Sequence, residues 1–509
     1  MSYQNAIVLQ DLPERKPVKV PVGDVGIILF REQQEVKAFQ SQCPHSGAPL
    51  EQGAIYGDRL VCPWHKATFS LKDGSLCEPL ALSDLQRYQV RIENGMVQVD
   101  PEPLPPLMEF SAAEEVPVFV ILGSGAAGAA AAWTLRREGF KGKLILVDRE
   151  SEAPYDRTVL TKFVPSGNMK IDEVPSLLQD DFYAYAERRQ AEVEQLNSNE
   201  QLLRFADGST LHYDKLLITI GGIPQRPDIT GKALFGVHVL RSLEQADTLL
   251  NEVDKTKKIL IIGNSFIGME LASALRARDV KVQVIARQPL PFKKTFGDEI
   301  ARYFRELHEE NGVEFIEGEV AGLKDDEGHV SAVALKSGQI VPADSVLLAT
   351  GVAPGTSFIH DIPLNDDGSL TADAYLAVAR KVWSAGDITA FPHGTGNLRI
   401  EHWRVAQQQG RIAAKNMLGQ KEVFDRVPFF WTAQFGTRYE YLGHAEQWDD
   451  YQLLGSLKEK KFVALYGQKG QLAAVASCGL YTFTAGLLVR MQQPVTLQEA
   501  AALAEQALG

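Results

Sequence analysis

The sequence is poor in cysteine, with four in 509 residues and none between Cys77 and Cys478. That spacing excludes a disulfide framework. A basic excess is also missing. The formal net charge is −13, which argues against nucleic-acid binding as the main role, because that binding needs a cationic surface. The chain opens without a basic segment followed by an apolar one, so no secretory signal is expected. The most apolar stretch, Val118 to Trp133, is interrupted by three glycines, and no membrane span is expected there. A reducing, cytoplasmic setting is the expectation. Neither a Ser/His/Asp elbow nor a metalloprotease motif is present, which removes the common hydrolase classes.

What is present points to electron chemistry. With 45% hydrophobic and 23% charged residues, the chain has the composition of a soluble globular protein, long enough for three or four domains. Two of the four cysteines fall in Cys43-Pro44-His45 and Cys62-Pro63-Trp64-His65, with sixteen residues between His45 and Cys62. Each unit offers one thiolate and one imidazole. Two such tips can hold a [2Fe–2S] cluster with both sulfurs on one iron and both imidazoles on the other. A Cys2His2 set also suits structural zinc. Zinc fingers usually give both cysteines first, however, whereas each half here carries one of each. In order, spacing and tip sequence the pattern resembles the Rieske family, and that resemblance makes Cys43, His45, Cys62 and His65 the metal ligands. Lys66 departs from it, standing where many members carry glycine. Cys77 has no partner at motif spacing and reads as a small buried residue.

Residues 1 to about 100 show short alternating runs broken by Gly, Asp and Asn, as in a small all-β module. Trp64 and Phe69 are expected to shield the cluster. Pro101 to Leu107 contains four prolines and reads as a semi-rigid tether. From Pro117 the pattern becomes strand, glycine loop, helix. Val118–Leu122 leads into Gly123-Ser-Gly125-Ala126-Ala127-Gly128, and a second strand ends near Glu150. The glycines suit a tight turn, close approach of a pyrophosphate, and helix–strand packing, and Glu150 suits a ribose diol. A second copy begins at Ile259, with Gly263-Asn-Ser265-Phe266-Ile267-Gly268-Met-Glu270. Two such units about 140 residues apart imply two dinucleotides.

Residues 116 to 509 resemble the two-dinucleotide flavoprotein reductases, in particular the apoptosis-inducing-factor-like and oxygenase-coupled ferredoxin reductase branches. The matching stretches are Pro154 to Lys162, Thr219 to Gly222 (with Gly221), Ala349-Thr350-Gly351, Ala385-Gly386-Asp387 and Phe430-Trp431-Thr432. The resemblance implies a multidomain fold. An all-β Rieske domain (1–104) and a linker (105–115) precede an FAD-binding domain (116–245 and 367–426). An NAD(P)H-binding domain (246–366), also Rossmann-like α/β, and a C-terminal α+β domain (427–509) complete it. It places Lys162 near flavin N5, with Glu270 as its carboxylate partner. A cation there favours the anionic reduced flavin. Arg157 is expected at FAD phosphate or ribose, with a surface ion pair as the alternative. Trp431 is expected as a lid on the flavin edge, and His402 and Trp403 at the same cavity or in the core.

In the second unit Ala286 stands where NAD-preferring relatives place an acid, and Arg287, Lys293 and Lys294 follow. Cations in place of a carboxylate suit a 2′-phosphate, so NADPH is expected to be favoured slightly over NADH. The lack of cysteine near either unit removes thiol–disulfide exchange beside the flavin. The resulting expectation is an FAD-dependent NAD(P)H oxidoreductase that passes electrons through its own cluster to an external acceptor, with no nucleic-acid partner and a homodimer as one assembly. The alternatives are a redox-sensing, apoptosis-inducing-factor-like signalling flavoprotein, and an oxidase or quinone-type reductase acting directly at FAD.

Overall fold

The computed structural model describes residues 3–110, 114–394 and 396–509. At the N-terminus a six-stranded antiparallel sheet has the order Gln4–Val8, Met96–Pro103, Arg87–Glu93, Glu35–Gln40, Val25–Glu32, Val18–Val22. A four-stranded meander, Ala54–Tyr56 to Leu76–Glu78, carries the second Cys/His tip between its second and third strands. Alternation in Val25–Glu32 sends Ile27 and Leu29 into one small core with Val20 and Val97. Ile28 and Phe30 point the other way, into a core holding Phe39, Leu60 and Phe69. That second core does not stop at the module. It continues without a break through Ala127, Trp133, Val405 and Ile412, so the module is packed onto the next domain by apolar burial.

The proline-rich stretch differs from a free tether. Pro101–Pro103 end a strand, with Pro103 opposite Tyr88. Proline is tolerated at a strand end because no further ladder N–H is needed there. Phe110 then packs edge-on against Phe182 and Tyr185. Residues 111–113 of the expected linker lie outside the described residues. Cys77 is half-buried and not fully enclosed.

The first dinucleotide unit is a sheet ordered Glu187–Gln190, Lys143–Asp148, Val118–Leu122, Lys215–Ile218, Val382–Ser384, Ala377–Ala379, parallel except for the last. Helix α1 (Ala126–Arg137) follows the glycine loop. The strand order reverses between Val118–Leu122 and Lys215–Ile218, which opens a crevice at their carboxyl ends. The second unit is a five-stranded parallel sheet with α2 (Leu243–Thr256), α3 (Phe266–Arg276) and α4 (Lys293–Glu310). Val237–His238 pairs in that sheet, so the unit begins before residue 246. Helix α5 (Trp403–Met417) returns the chain to the first unit. The C-terminal domain is a five-stranded antiparallel sheet, Phe429–Gln434 to Gln471–Cys478, with α6 (Tyr481–Arg490) and α7 (Leu497–Leu508). Among the described residues no helix is long and apolar enough to cross a membrane.

Helices α1 and α5 pack backbone to backbone at Gly410. A Cβ there would sit 2.1 Å from the Ala127 carbonyl oxygen, and backbone on both sides cannot yield. Gly410→Ala is expected to cost about 1–3 kcal/mol through overpacking and to lower the thermal midpoint. Gly486→Ala in α6 is the control. Its nearest neighbour would be the Ala54 Cβ at 3.8 Å, so better helix propensity should leave stability unchanged or up to ~1 kcal/mol higher. Differential scanning calorimetry of the two variants separates the cases.

Candidate redox site

The two ligand tips are built alike. The Cys43 N–H donates to Ala48 O at 2.8 Å and the Gly47 N–H returns to Cys43 O at 2.9 Å. The Cys62 N–H donates to Ala67 O at 2.8 Å and the Lys66 N–H to Cys62 O at 3.2 Å. Both closures need a left-handed residue at the fourth position after cysteine, and Gly47 (φ 72°) and Lys66 (φ 62°) supply it. Glycine does so freely, whereas a residue with a Cβ loses roughly 1–2 kcal/mol there.

The ligands sort by element. Cys43 and Cys62 are buried, and their mutual interaction brings the Cys62 thiol down to about 7 and pushes Cys43 up, while burial raises both. The imidazoles meet edge to face, with His45 Nδ1 and His65 Nδ1 3.0 Å apart. Burial holds both neutral, and for His65 the neighbouring His45, Arg438 and Lys66 add to that effect. Neutral imidazole and thiolate are the metal-binding forms; the two imidazoles and Cys62 are shifted toward them and Cys43 away. Among the described residues no three His, Cys, Asp or Glu side chains converge as a set around a single ion. Paired sulfurs and paired nitrogens fit a two-iron centre of mixed ligation better than one tetrahedral zinc.

A cavity of about 1100 Å³ begins at His45 and His65 and runs over the first dinucleotide unit. Gly123, Gly125, Ala126, Ala127, Glu150, Arg157, Lys162, Gly221, Gly386, Asp387, His402, Trp403 and Trp431 all line it. Gly128 lies behind the loop. A Cβ on it would meet Gly123 O at 2.0 Å, and a Cβ on Gly123 would meet Thr219 O at 2.6 Å, so both positions are restricted to glycine. The N-cap of α1, Gly125, has no side-chain cap, which leaves helix N–H groups available to a phosphate. Glu150 accepts from Arg157 Nη2 and from the Tyr155 hydroxyl, each at 2.7 Å. Arg157 therefore lines the cavity while paired with Glu150, and the pair is largely buried rather than on the surface. Asp387 accepts from Arg241 at 2.7 Å, and His402 Nδ1 is buried without a protein partner. The dimensions, the open helix end and the orphaned nitrogen fit an FAD.

Lys162 and Glu270 meet at 2.8 Å with both side chains over nine-tenths buried. Glu270, in the second turn of α3, also accepts from the Thr161 and Thr432 hydroxyls at 2.5 and 2.8 Å. One carboxylate thus joins the first unit, the second unit and the C-terminal sheet. Phe266 and Ile267 reach the same cavity. Trp431 stands between the two halves of the site. Its ring lies 5.1 Å from the His65 ring, and Lys162 Nζ is 4.9 Å from its centroid.

The remaining second-unit residues lie outside this cavity. Gly263 and Gly268 close their own turn, where added Cβ atoms would meet Ala349 O at 2.3 Å and Gly263 O at 2.7 Å. Ser265 donates to Ala349 O at 3.1 Å and Thr350 to Gln225 O at 2.8 Å, next to Gly351 (φ 102°). Arg287 and Lys336 share Glu319 at 3.1 and 2.8 Å, and Lys293 pairs with Asp298 at 2.8 Å.

Several residues at the site have no sequence motif. Glu78 accepts from Arg426 and Gln408, each at 2.7 Å, tying the module to the linker after α5 and to α5 itself. Burial would raise its carboxyl, but Arg426 and Arg404 hold it below the usual range. Arg404, 2% exposed, donates to Pro79 O and Lys66 O at 3.2 Å. Glu440, which accepts from Lys66 at 3.0 Å, shows in the sequence only as an acid between two tyrosines of a strand, Tyr439-Glu440-Tyr441.

Comparison with known proteins gives a consistent picture. Residues 118–410 match the pyridine nucleotide-disulphide oxidoreductase family, and residues 3–89 the Rieske [2Fe-2S] domain. Apoptosis-inducing factor 3 of Homo sapiens is 32% identical over 493 residues, covering 92% of this chain and 80% of the relative. The ferredoxin–NAD(+) reductase component of the p-cumate 2,3-dioxygenase system of Pseudomonas putida is 30% identical over 338 residues, covering 65% and 82%. Among solved structures, the ferredoxin reductase for the CYP199A2 system from Rhodopseudomonas palustris superposes with a TM-score of 0.72 at 23% identity, over 77% of this chain and all of that one. The covalent putidaredoxin reductase–putidaredoxin complex gives 0.70 at 23%, with the same coverage.

Proposed function

Because this chain belongs to the pyridine nucleotide-disulphide oxidoreductase family and carries a Rieske domain ahead of it, we propose that it is an NAD(P)H-dependent reductase that delivers electrons within the chain to its own Rieske centre and from there to an external acceptor. The observation that carries this is the single cavity reaching from the first dinucleotide unit to both histidine ligands, with Trp431 between them. When bound, FAD accepts a hydride and releases electrons singly, and a [2Fe–2S] cluster accepts them one at a time.

The chain's own part is positional. Gly123, Gly125 and the open end of α1 would hold the pyrophosphate, while Glu150 and Arg157 would hold the ribose. Lys162 is kept at the cavity wall by Glu270, which offers a cation where negative charge develops. Trp431 fills the space between Lys162 and His65 and so excludes water from it. At the outer end of the second unit, Arg287 and Lys336 share Glu319 and Glu317 lies opposite Ala286, so Arg287, three-quarters exposed, is the cation a 2′-phosphate would meet by displacing Glu319. That contact supports a modest preference for NADPH, expected as a higher kcat/KM than with NADH and reversed by Arg287→Asp.

Anaerobic titration of the full chain with NADPH and NADH, followed by optical and electron paramagnetic resonance spectra, tests the route. The expected result is a reduced mixed-ligand cluster signal arising with the flavin change. A cluster that stays oxidised while the flavin bleaches fully overturns the reading.

A further inference from the structure

Lys66 occupies the place that Gly47 fills in the first tip, at a left-handed backbone position where glycine would close the turn without strain. It is wholly buried, and what it touches lies largely outside its own module. Its Nζ donates to both carboxylate oxygens of Glu440 at 3.0 Å and to Tyr481 O at 3.2 Å, in addition to Pro63 O at 2.6 Å. Glu440 is 1% exposed and also takes the Thr484 hydroxyl and, at 3.1 Å, Arg438. The Lys66 carbonyl in turn accepts from Arg404 of α5. Side chain and backbone of one residue beside ligand His65 are therefore bound to two other domains.

A buried ion pair adds little net stability, but it disfavours every arrangement in which one charge stays buried without the other. Only the docked pose brings Lys66 and Glu440 together away from water. The module contributes a single carbonyl to the Lys66 ammonium, and the C-terminal domain contributes the counter-charge. We infer that the Lys66–Glu440 pair is a docking lock that commits the Rieske tip to the cavity of its own chain, making Lys66 and Glu440 positioning residues for delivery of electrons to the cluster. This rests on the in-chain route proposed above.

The test uses the full-length protein loaded with FAD and iron, comparing wild type with Glu440→Gln and Lys66→Gly. Glu440 lies on another domain, 374 positions from Lys66, so its substitution changes no residue of the ligand tip itself. Hydrogen exchange is read at residues 76–82 and 403–411, the two faces of the docking contact, and cluster reduction is followed in a single anaerobic turnover. Glu440→Gln should keep wild-type iron content, and both variants should keep wild-type flavin bleaching. Exchange at both faces should rise on the order of tenfold, and cluster reduction should slow by a similar factor. Unchanged exchange with iron retained overturns the lock, and so does loss of iron in Glu440→Gln, which would make the pair part of tip assembly. Increased exchange with no change in cluster reduction upholds the docking contact and instead removes the in-chain electron route.

Discussion

Cys62→Ser will empty the metal site while leaving the flavin chemistry in place. Serine is isosteric and keeps the turn, because the Cys62 N–H bond to Ala67 O and the Lys66 N–H bond to Cys62 O are made by backbone. What it removes is one of the two sulfurs, and Cys478 and Cys77 are not at the tips to replace it. Loss of an outer-shell partner alone costs roughly 10–100-fold in metal affinity, and loss of a direct ligand costs more. Iron content is expected near zero, with FAD retained and NADPH-driven bleaching within about twofold of wild type, since the residues proposed to hold the dinucleotide, Gly123, Gly125, Glu150 and Arg157, are not part of the tips. Reduction of a one-electron protein acceptor should fall on the order of a hundredfold. Metal analysis and stopped-flow absorbance decide it. Retained iron would reject the ligand assignment, and acceptor reduction that survives iron loss would mean that electrons leave directly from the flavin.

The legible parts of this chain are those whose chemistry restricts residue type within a short span. The tips could be picked out because each carries a Cys and a His within four residues, and the fold brings the two histidines together, with His45 Nδ1 3.0 Å from His65 Nδ1. The fingerprints could be read because a Cβ on Gly128 or Gly263 would collide with backbone at 2.0 and 2.3 Å. The same physics operates at Gly410, yet a helical glycine without a flanking motif gives no sign that another helix is 2.1 Å from its missing Cβ. Lys66 showed only as a departure from a pattern, since its partner is 374 positions away and long-range pairing leaves no local spacing. The proline run is a mixed case: Pro101 to Pro103 close a strand, with Pro103 opposite Tyr88, while Pro105 and Pro106 lie beyond it in the stretch read as a semi-rigid connection. Arg287 and Lys293 stood out as basic residues, but their partners Glu319 and Asp298 come from other turns of the fold.

Removing the Glu270 carboxylate will strongly slow flavin reduction. In Glu270→Ala the Lys162 ammonium, already shielded from water, loses its counter-charge, and the Thr161 and Thr432 hydroxyls lose their acceptor. Breaking one side of such a pair costs about 3–5 kcal/mol. Lys162 escapes that cost by leaving the cavity wall, which takes the cation away from the place proposed for the flavin ring. NADPH-driven bleaching should therefore slow on the order of 10²–10³-fold if most of that cost reaches the barrier. Glu270→Gln keeps an oxygen acceptor for the hydroxyls but not the charge, so it should fall between wild type and Glu270→Ala. The pair, and not either residue alone, is the functional unit, and a double-mutant cycle exposes this. Lys162→Met combined with Glu270→Gln leaves no buried charge unpaired. The double variant should bleach no more slowly than Lys162→Met alone and should unfold at a higher temperature than Glu270→Gln. Strict additivity of the two defects would show that Lys162 and Glu270 act independently, and would remove the carboxylate's role in holding the cation.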